Sequence, residues 1–342
     1  MHVASYLAKH TPLSPPFTCT ALSGGNMNQV VLVQDALGNE VVLKYAPPYL
    51  HLLGPSFALT QERISVEMHA LAYFASVTPS FVPRLLQEDE ANHCMLLEYK
   101  KGFVTLREAH LQGDFTLERY TNLGAFVGAL ATHTPAPKPV EFYENATLKS
   151  ITDAYVFTIA FLENSPKTVP HPWFTPLPKS ARLLENVAFL KTLFHTPYPH
   201  LIHGDLHTGS VLVRGEEIAV IDAEFALFGP VSFDLGNVMA HLVMDSFGRD
   251  FPRKNALEGF WDAFVEESVL TCKATKEAIF SQSVGFCGVE IARRLVVPAK
   301  SPALESLAHK EKAYAHMDAL SHRLIENFKQ IKTLQDFLGV LP

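Results

Sequence analysis

Only four cysteines, Cys19, Cys94, Cys272 and Cys287, occur along the chain, and no two of them form a C-x-x-C pair or sit at a ligand-like spacing from histidine. Their scarcity and scatter argue against a disulfide framework or a zinc site and fit reduced thiols in a cytoplasmic protein. No apolar run reaches the roughly 18 residues that a membrane span requires. The first sixteen residues are interrupted by Lys9, His10 and three prolines, so they hold no apolar core of signal-peptide length. Basic residues are not in excess. Lys and Arg together number 28 against 35 Asp and Glu, a formal net charge of -7, whereas a general nucleic-acid or anionic-membrane binder would carry a basic stripe. Internal repeats and low-complexity tracts are absent as well. What remains is 342 residues, 48% hydrophobic and 18% charged, the composition of an ordinary globular chain long enough for two domains or two lobes.

The front of the chain reads as strands. Residues 17–22 lead into Ser23-Gly24-Gly25-Asn26-Met27-Asn28, a valine-rich stretch covers 29–34, and Leu37-Gly38-Asn39 marks a turn before a further strand over 40–45. Residues 60–75 carry Ile64, Met68, Leu71, Ala72 and Ala75 at helical spacing, with Glu67 at the edge of that stripe. Two more strands are expected near 84–88 and 94–99. Helical patterns then dominate, with helices expected over 122–133 and 151–163, a proline-rich loop with Trp173 over 166–178, short strands at 211–214 and 218–221, and helices again from about Phe233. The layout is α+β and bilobal: an N-terminal lobe, 1–99, with an antiparallel sheet, and a mostly helical C-terminal lobe, 100–342.

Chemistry concentrates in His203-Gly204-Asp205-Leu206-His207-Thr208-Gly209-Ser210. Asp222 follows Asp205 by seventeen residues at the end of an apolar strand, Glu224 lies two residues further, and Asp234 twelve beyond Asp222. Phosphoryl transfer needs such a set: one carboxylate to orient the acceptor hydroxyl and take its proton, others to hold Mg²⁺ against the nucleotide phosphates. Asp205 is read as the base and Asp222 as a metal ligand. Glu224 joins Asp222, because positions two apart in an extended segment face the same side. Ser210 stands where a protein kinase carries a metal-binding asparagine. Asp234 is read as a structural acid bracing the loop, and His203 and His207 as hydrogen-bonding residues. In the front half, Gly24 and Gly25 allow backbone N–H groups to approach a phosphate, while Lys44 and Glu67 stand in the right order for the lysine–glutamate pair that positions ATP phosphates. Glu98-Tyr99, before Lys100-Lys101-Gly102, would be the hinge that meets adenine. On a helical projection Arg293 shares a face with Val289, Ala292 and Val296, so its guanidinium calls for an anionic partner, whether a phosphate or a carboxylate. Arg294, one turn after Glu290, is explained as a surface pair.

Together these residues resemble the aminoglycoside phosphotransferase and choline kinase superfamily, and several stretches resemble its methylthioribose kinase family. The resemblance runs from about residue 20 to 300. It rests on H-G-D-L-H-T-G-S, on Gly25-Asn26-Met27-Asn28, on the segment from Gly54 to Glu67 with Arg63, on Asp222-Ala223-Glu224-Phe225-Ala226, on Gly229-Pro230 to Asp234, and on Arg293-Arg294. It implies a protein-kinase-like fold and transfer of the ATP γ-phosphate to the 1-hydroxyl of 5-methylthioribose in methionine salvage. Asp205 would be the base, Asp222 and Glu224 the Mg²⁺ ligands, and Lys44, Asn26, Asn28 and Ser210 part of the nucleotide site. The arginine pair would contact the sugar and the transferred group, and a homodimer fits the resemblance. Other hydroxyl acceptors (another 5-modified ribose, a choline- or homoserine-type amino alcohol, an aminoglycoside) stay open, as does a nucleotide-binding pseudokinase.

Overall fold

The computed structural model describes residues 3–22, 27–51, 54–133, 143–162 and 165–342. Helix α1 (Val3–His10) precedes strands β1 (Thr18–Ala21), β2 (Gln29–Gln34) and β3 (Glu40–Tyr45), helix α2 (Arg63–Val77), and strands β4 (Leu85–Asp89) and β5 (Cys94–Glu98). The five strands form one antiparallel sheet in the order β1-β2-β3-β5-β4. At the β2–β3 turn, Asp35 Oδ1 accepts the N–H groups of Leu37 and Asn39 at 2.9 Å each, and Gly38 supplies the required φ of +83°.

Alternation along the strands divides the sheet into two faces. Val41, Leu43 and Tyr45 of β3, with Cys94 and Leu96 of β5, pack against Tyr6 and Leu7 of α1. Val42 and Lys44 point the other way, toward α2 and the rest of the molecule, where Val42, Met95 and Leu97 join the main core. This parity is what aims Lys44 at the cleft. Helix α1 lies in a stretch where the prolines and charges gave no helical expectation. Eight residues are too few to be stable alone, so the contact of Tyr6 and Leu7 with the sheet supplies the stability.

After β5, β6 (Val104–Thr105) pairs with a strand more than a hundred residues later. Thr105 caps α3 (Leu106–Leu111), accepting from Glu108 N while the Glu108 carboxylate accepts from Thr105 N at 2.8 Å. Then come α4 (Glu118–Thr132), α5 (Ala146–Thr152), α6 (Ala181–His195), and four short strands, β7 (Leu201–Ile202), β8 (Val211–Arg214), β9 (Glu217–Val220) and β10 (Leu227–Phe228). Helices α7 (Val231–Ser246), α8 (Arg253–Glu267), α9 (Lys273–Val296), α10 (Pro302–Glu305), α11 (Lys310–Asn327) and α12 (Leu334–Val340) complete the fold. β8 lies between β6 and β9, and β7 pairs with β10. The helix expected over 151–163 proves to be composite: α5 ends at Thr152, a π-helical turn covers 153–158, and a 3₁₀ turn covers 159–161. No helix among the described residues is long and apolar enough to cross a membrane.

Every residue of α7 is buried. A helix enclosed on all sides must find a partner for each polar group it carries. Asp234, His241 and Asp245, spaced at i, i+7 and i+11, form one polar face, and that face backs the loop from His203 to Ser210.

Candidate active site

Lys44 Nζ lies 2.7 Å from Glu67 Oε1 and 2.5 Å from Asp222 Oδ1, so one cation joins strand β3, helix α2 and the segment after β9. Burial would lower the Lys44 pKa, but Asp222, Glu67 and Glu224 outweigh it and hold the ammonium charged. Asp222 itself adopts a left-handed backbone, φ +63°, a conformation that non-glycine residues keep where the surrounding structure demands it. Its side chain is 38% exposed and faces the cleft, unlike the buried Lys44 and Glu67.

Glu224 is buried and receives the side-chain amide of Asn28. Asn28 Oδ1 in turn accepts from Arg63 Nε at 2.8 Å, and Arg63, fully buried, also donates to the carbonyls of Met27 and Pro47 at 3.0 and 2.9 Å. Burial pushes the Glu224 carboxyl up to about 8. The lower side of this segment is pinned by Asn145, whose amide donates to Glu224 O at 2.8 Å and Ala226 O at 3.2 Å, a role its sequence context does not signal. Lys44 and Arg63 thus face three acidic side chains, Glu67, Asp222 and Glu224, and a divalent cation beside Asp222 and Glu224 would favour the ionised form that burial disfavours. Among the described residues no group of three or more His, Cys, Asp or Glu is arranged to hold a metal by itself. A magnesium–phosphate site needs only one or two carboxylates from the protein, and Asp222 and Glu224 meet that requirement.

The loop carrying Asp205 is held from behind. Asp234 accepts the backbone N–H groups of His203 and Gly204 at 2.7 and 3.0 Å, and burial raises its carboxyl to about 7. His203 accepts from Asp205 N through Nδ1 and donates through Nε2 to Ile221 O at 2.8 Å, tying the loop to the residue before Asp222. The Ser210 hydroxyl accepts from His207 N at 2.9 Å and lies 3.2 Å from Asp205 O, so it closes the loop on itself and is buried. Asp205 is one-third exposed, with Arg293 Nη2 at 3.3 Å from Oδ1 and His207 Nε2 at 3.8 Å from Oδ2.

Arg294 and Glu290 are not the surface pair that their spacing suggested. Glu290 is buried and accepts from His241 Nε2 at 3.0 Å, Arg294 Nε at 2.7 Å, and both Nε and Nη2 of Arg293. Burial favours its neutral form, but the two guanidiniums and His241 outweigh it and hold the carboxyl well below the usual carboxylate range. Glu290 therefore aims Arg293 at Asp205. The i,i+4 spacing of Glu290 and Arg294 says nothing about burial, which follows from the packing of α9 on α7.

The cleft beneath the sheet, about 250 Å³, is lined by Val30, Val42, Lys44, Tyr99, Leu212 and Asp222 among others, slightly below the roughly 300–1,000 Å³ of drug-sized ligand sites. Glu98 and Tyr99 form its rim. The Glu98 carboxylate accepts from Arg84 N at 3.2 Å and lies 3.4 Å from Lys100 Nζ, while Tyr99 O accepts from Lys101 N at 2.9 Å. Gly24, Gly25 and Asn26 lie outside the described residues. Trp173 is partly exposed and stacks on His171 with ring centroids 4.6 Å apart.

Residues 18–266 match the model of the phosphotransferase enzyme family. A methylthioribose kinase from Geobacillus kaustophilus is 31% identical over 356 aligned positions, which cover 94% of this chain and 90% of that protein. One from Bacillus mycoides is 30% identical over 334 positions, covering 89% and 85%. Among solved structures, a choline/ethanolamine kinase family protein from Mesorhizobium loti superposes with a TM-score of 0.54 over 99% of this chain and 97% of that one, at 14% identity. An ethanolamine kinase from Plasmodium vivax gives 0.53 over 93% and 84%, at 12% identity. At such identities the likeness is one of fold.

Proposed function

The chain belongs to the phosphotransferase enzyme family and groups with its methylthioribose kinases, and from that membership we propose that it transfers the γ-phosphoryl group of ATP to the 1-hydroxyl of 5-methylthioribose, with Mg²⁺. We divide it at the hinge into a nucleotide-binding lobe, 1–99, and a catalytic and acceptor-binding lobe, 100–342. The observation that carries the reading is the position of Lys44 between Glu67 and Asp222, with the loop that carries the part-exposed Asp205 tied through His203 to Ile221, the residue before Asp222. Lys44 holds the nucleotide phosphates, and the hinge at Glu98 and Tyr99 meets the base. Asp222 and Glu224 hold the metal ion, which when bound neutralises phosphate charge. Asp205 accepts the proton of the acceptor hydroxyl as the bond to phosphorus forms. Arg293, directed by Glu290, and Arg294 behind it supply positive charge on the acceptor side of Asp205.

The test is Mg²⁺-dependent release of ADP from ATP with and without 5-methylthioribose, beside choline, homoserine and kanamycin. Stimulation by methylthioribose is expected. Asp205→Asn should lower kcat by about 10²–10⁴-fold, the range of a general base, with ATP binding kept. Stimulation by a different acceptor, or by none, would remove the substrate assignment.

A further inference from the structure

Arg107 is the second residue of α3 and belongs to none of the motifs above. Its backbone N–H donates to Thr208 O at 2.9 Å, which ties the first turn of α3 to the loop carrying Asp205. Its side chain lies against Gly209. A Cβ built on Gly209 would come within 2.8 Å of Arg107 Nη1 and 2.9 Å of Cζ and Nη2, so the guanidinium fills space that only glycine leaves free. Yet Arg107 Nε and Nη2 are shielded from solvent and have no hydrogen-bond partner. A guanidinium stays charged in proteins, and buried donors without acceptors are costly.

The nearby carboxylates do not supply the missing acceptor. Asp205, Glu290 and Asp245 all attract this charge, and Arg294 repels it. Asp245 Oδ2 is taken by His110 Nδ1 at 3.0 Å and Thr208 Oγ1 at 2.7 Å, and its Oδ1 has no hydrogen bond, so Arg107 and Asp245 are not joined. Nε and Nη2 form one edge of the guanidinium, the edge that grips two oxygens of a phosphate side by side. Asp205 attracts both Arg107 and Arg293, so an anionic oxygen brought beside Asp205 would supply the acceptor that this edge lacks.

We propose that Arg107 is a third arginine of the phosphoryl-transfer site, donating from Nε and Nη2 to oxygens of the group in transit. This rests on the kinase reading above, and the test separates the two. Arg107→Met and Arg107→Lys are compared with the parent and with Asp245→Asn in steady-state kinetics. The shift of melting temperature caused by inorganic phosphate in the presence of MgADP is read in parallel, since it needs no acceptor. Arg107→Met is expected to lose the phosphate shift and about 10- to 100-fold of kcat/KM for methylthioribose, the loss expected for one charge-assisted pair, with KM for ATP unchanged. Arg107→Lys, which keeps the charge without the fork, should fall between, and it covers the case in which the methionine variant does not fold. Parent-like phosphate protection and kinetics in both Arg107 variants would overturn the proposal. So would equal losses of melting temperature and kcat in Arg107→Met and Asp245→Asn with phosphate protection kept, because Arg107 would then only hold the loop together. A parent enzyme inactive on methylthioribose but still protected by phosphate through Arg107 would defeat the substrate assignment and leave this proposal standing.

Discussion

His241 is fully buried, yet the orientation of Arg293 depends on it through Glu290. Burial pushes its imidazole down to about 4, its Nδ1 has no partner, and Nε2 donates to Glu290. The neutral form is therefore the one built into the fold. The folded pKa lies below the unfolded value near 6.5, so the stabilising contribution is complete above about pH 6.5 and is lost as pH falls toward 4. His203 and His207, also pushed down by burial, add to the same trend. The parent should lose melting temperature between pH 6.5 and 4. His241→Gln should show a shallower decline, with a difference on the order of 1–3 kcal/mol, checked by melting curves across that range. Identical slopes would show that His241 is not the titrating group. At this scale the sequence was readable for the Lys44–Glu67 pair, because a carboxylate on the buried stripe of a helix calls for a cation. It was misleading for Glu290 and Arg294, whose spacing is the same in a solvated pair and in a buried one.

At the scale of elements, the loop from His203 to Ser210 works because of the helix behind it and the glycine within it. Gly204 has φ +80°, and a Cβ there would lie 2.1 Å from Phe225 O, inside the segment that carries Asp222 and Glu224. Gly204→Ala must separate the two segments or strain the backbone. A loss of roughly 2–4 kcal/mol in denaturant unfolding, together with a fall in kcat, is the expected result. An alanine variant with parent stability would mean that the loop has room the structure does not show. The strands expected over 211–214 and 218–221 were evident from their apolar runs, and the structure places them at 211–214 and 217–220. The composite stretch from 146 to 161 was not, since the apolar spacing of a π-helical turn differs little from that of an α-helix over six residues. Helix α1 escaped notice for a related reason: the surface that stabilises it is formed by strands far along the chain.

Across the whole molecule, two polar bonds among the described residues join the five-stranded sheet and its flank to the segment after β9: Lys44 to Asp222 and Asn28 to Glu224. Asn28→Ala removes the second while Arg63 and the sheet remain. Such a variant should keep its melting temperature within about 1–2 kcal/mol of equivalent stability. The Mg²⁺ concentration that half-saturates turnover should rise about tenfold, as when a residue orienting a metal ligand is lost. A Mg²⁺ titration of ADP release reads this directly, and an unchanged midpoint would detach Asn28 from the metal site. The pairing of β6 with β8 bears on the order in which the parts come into being. Thr105 meets Leu212 and Val104 meets Val213, so the strand after the hinge waits for more than a hundred residues of further synthesis. The five-stranded sheet, built from contacts within the first hundred residues, has no such wait. On the ribosome, the Lys44–Glu67 pair can be in place well before the floor of the cleft exists, and a chain stalled short of Val213 would be half a clamp with nothing to close upon.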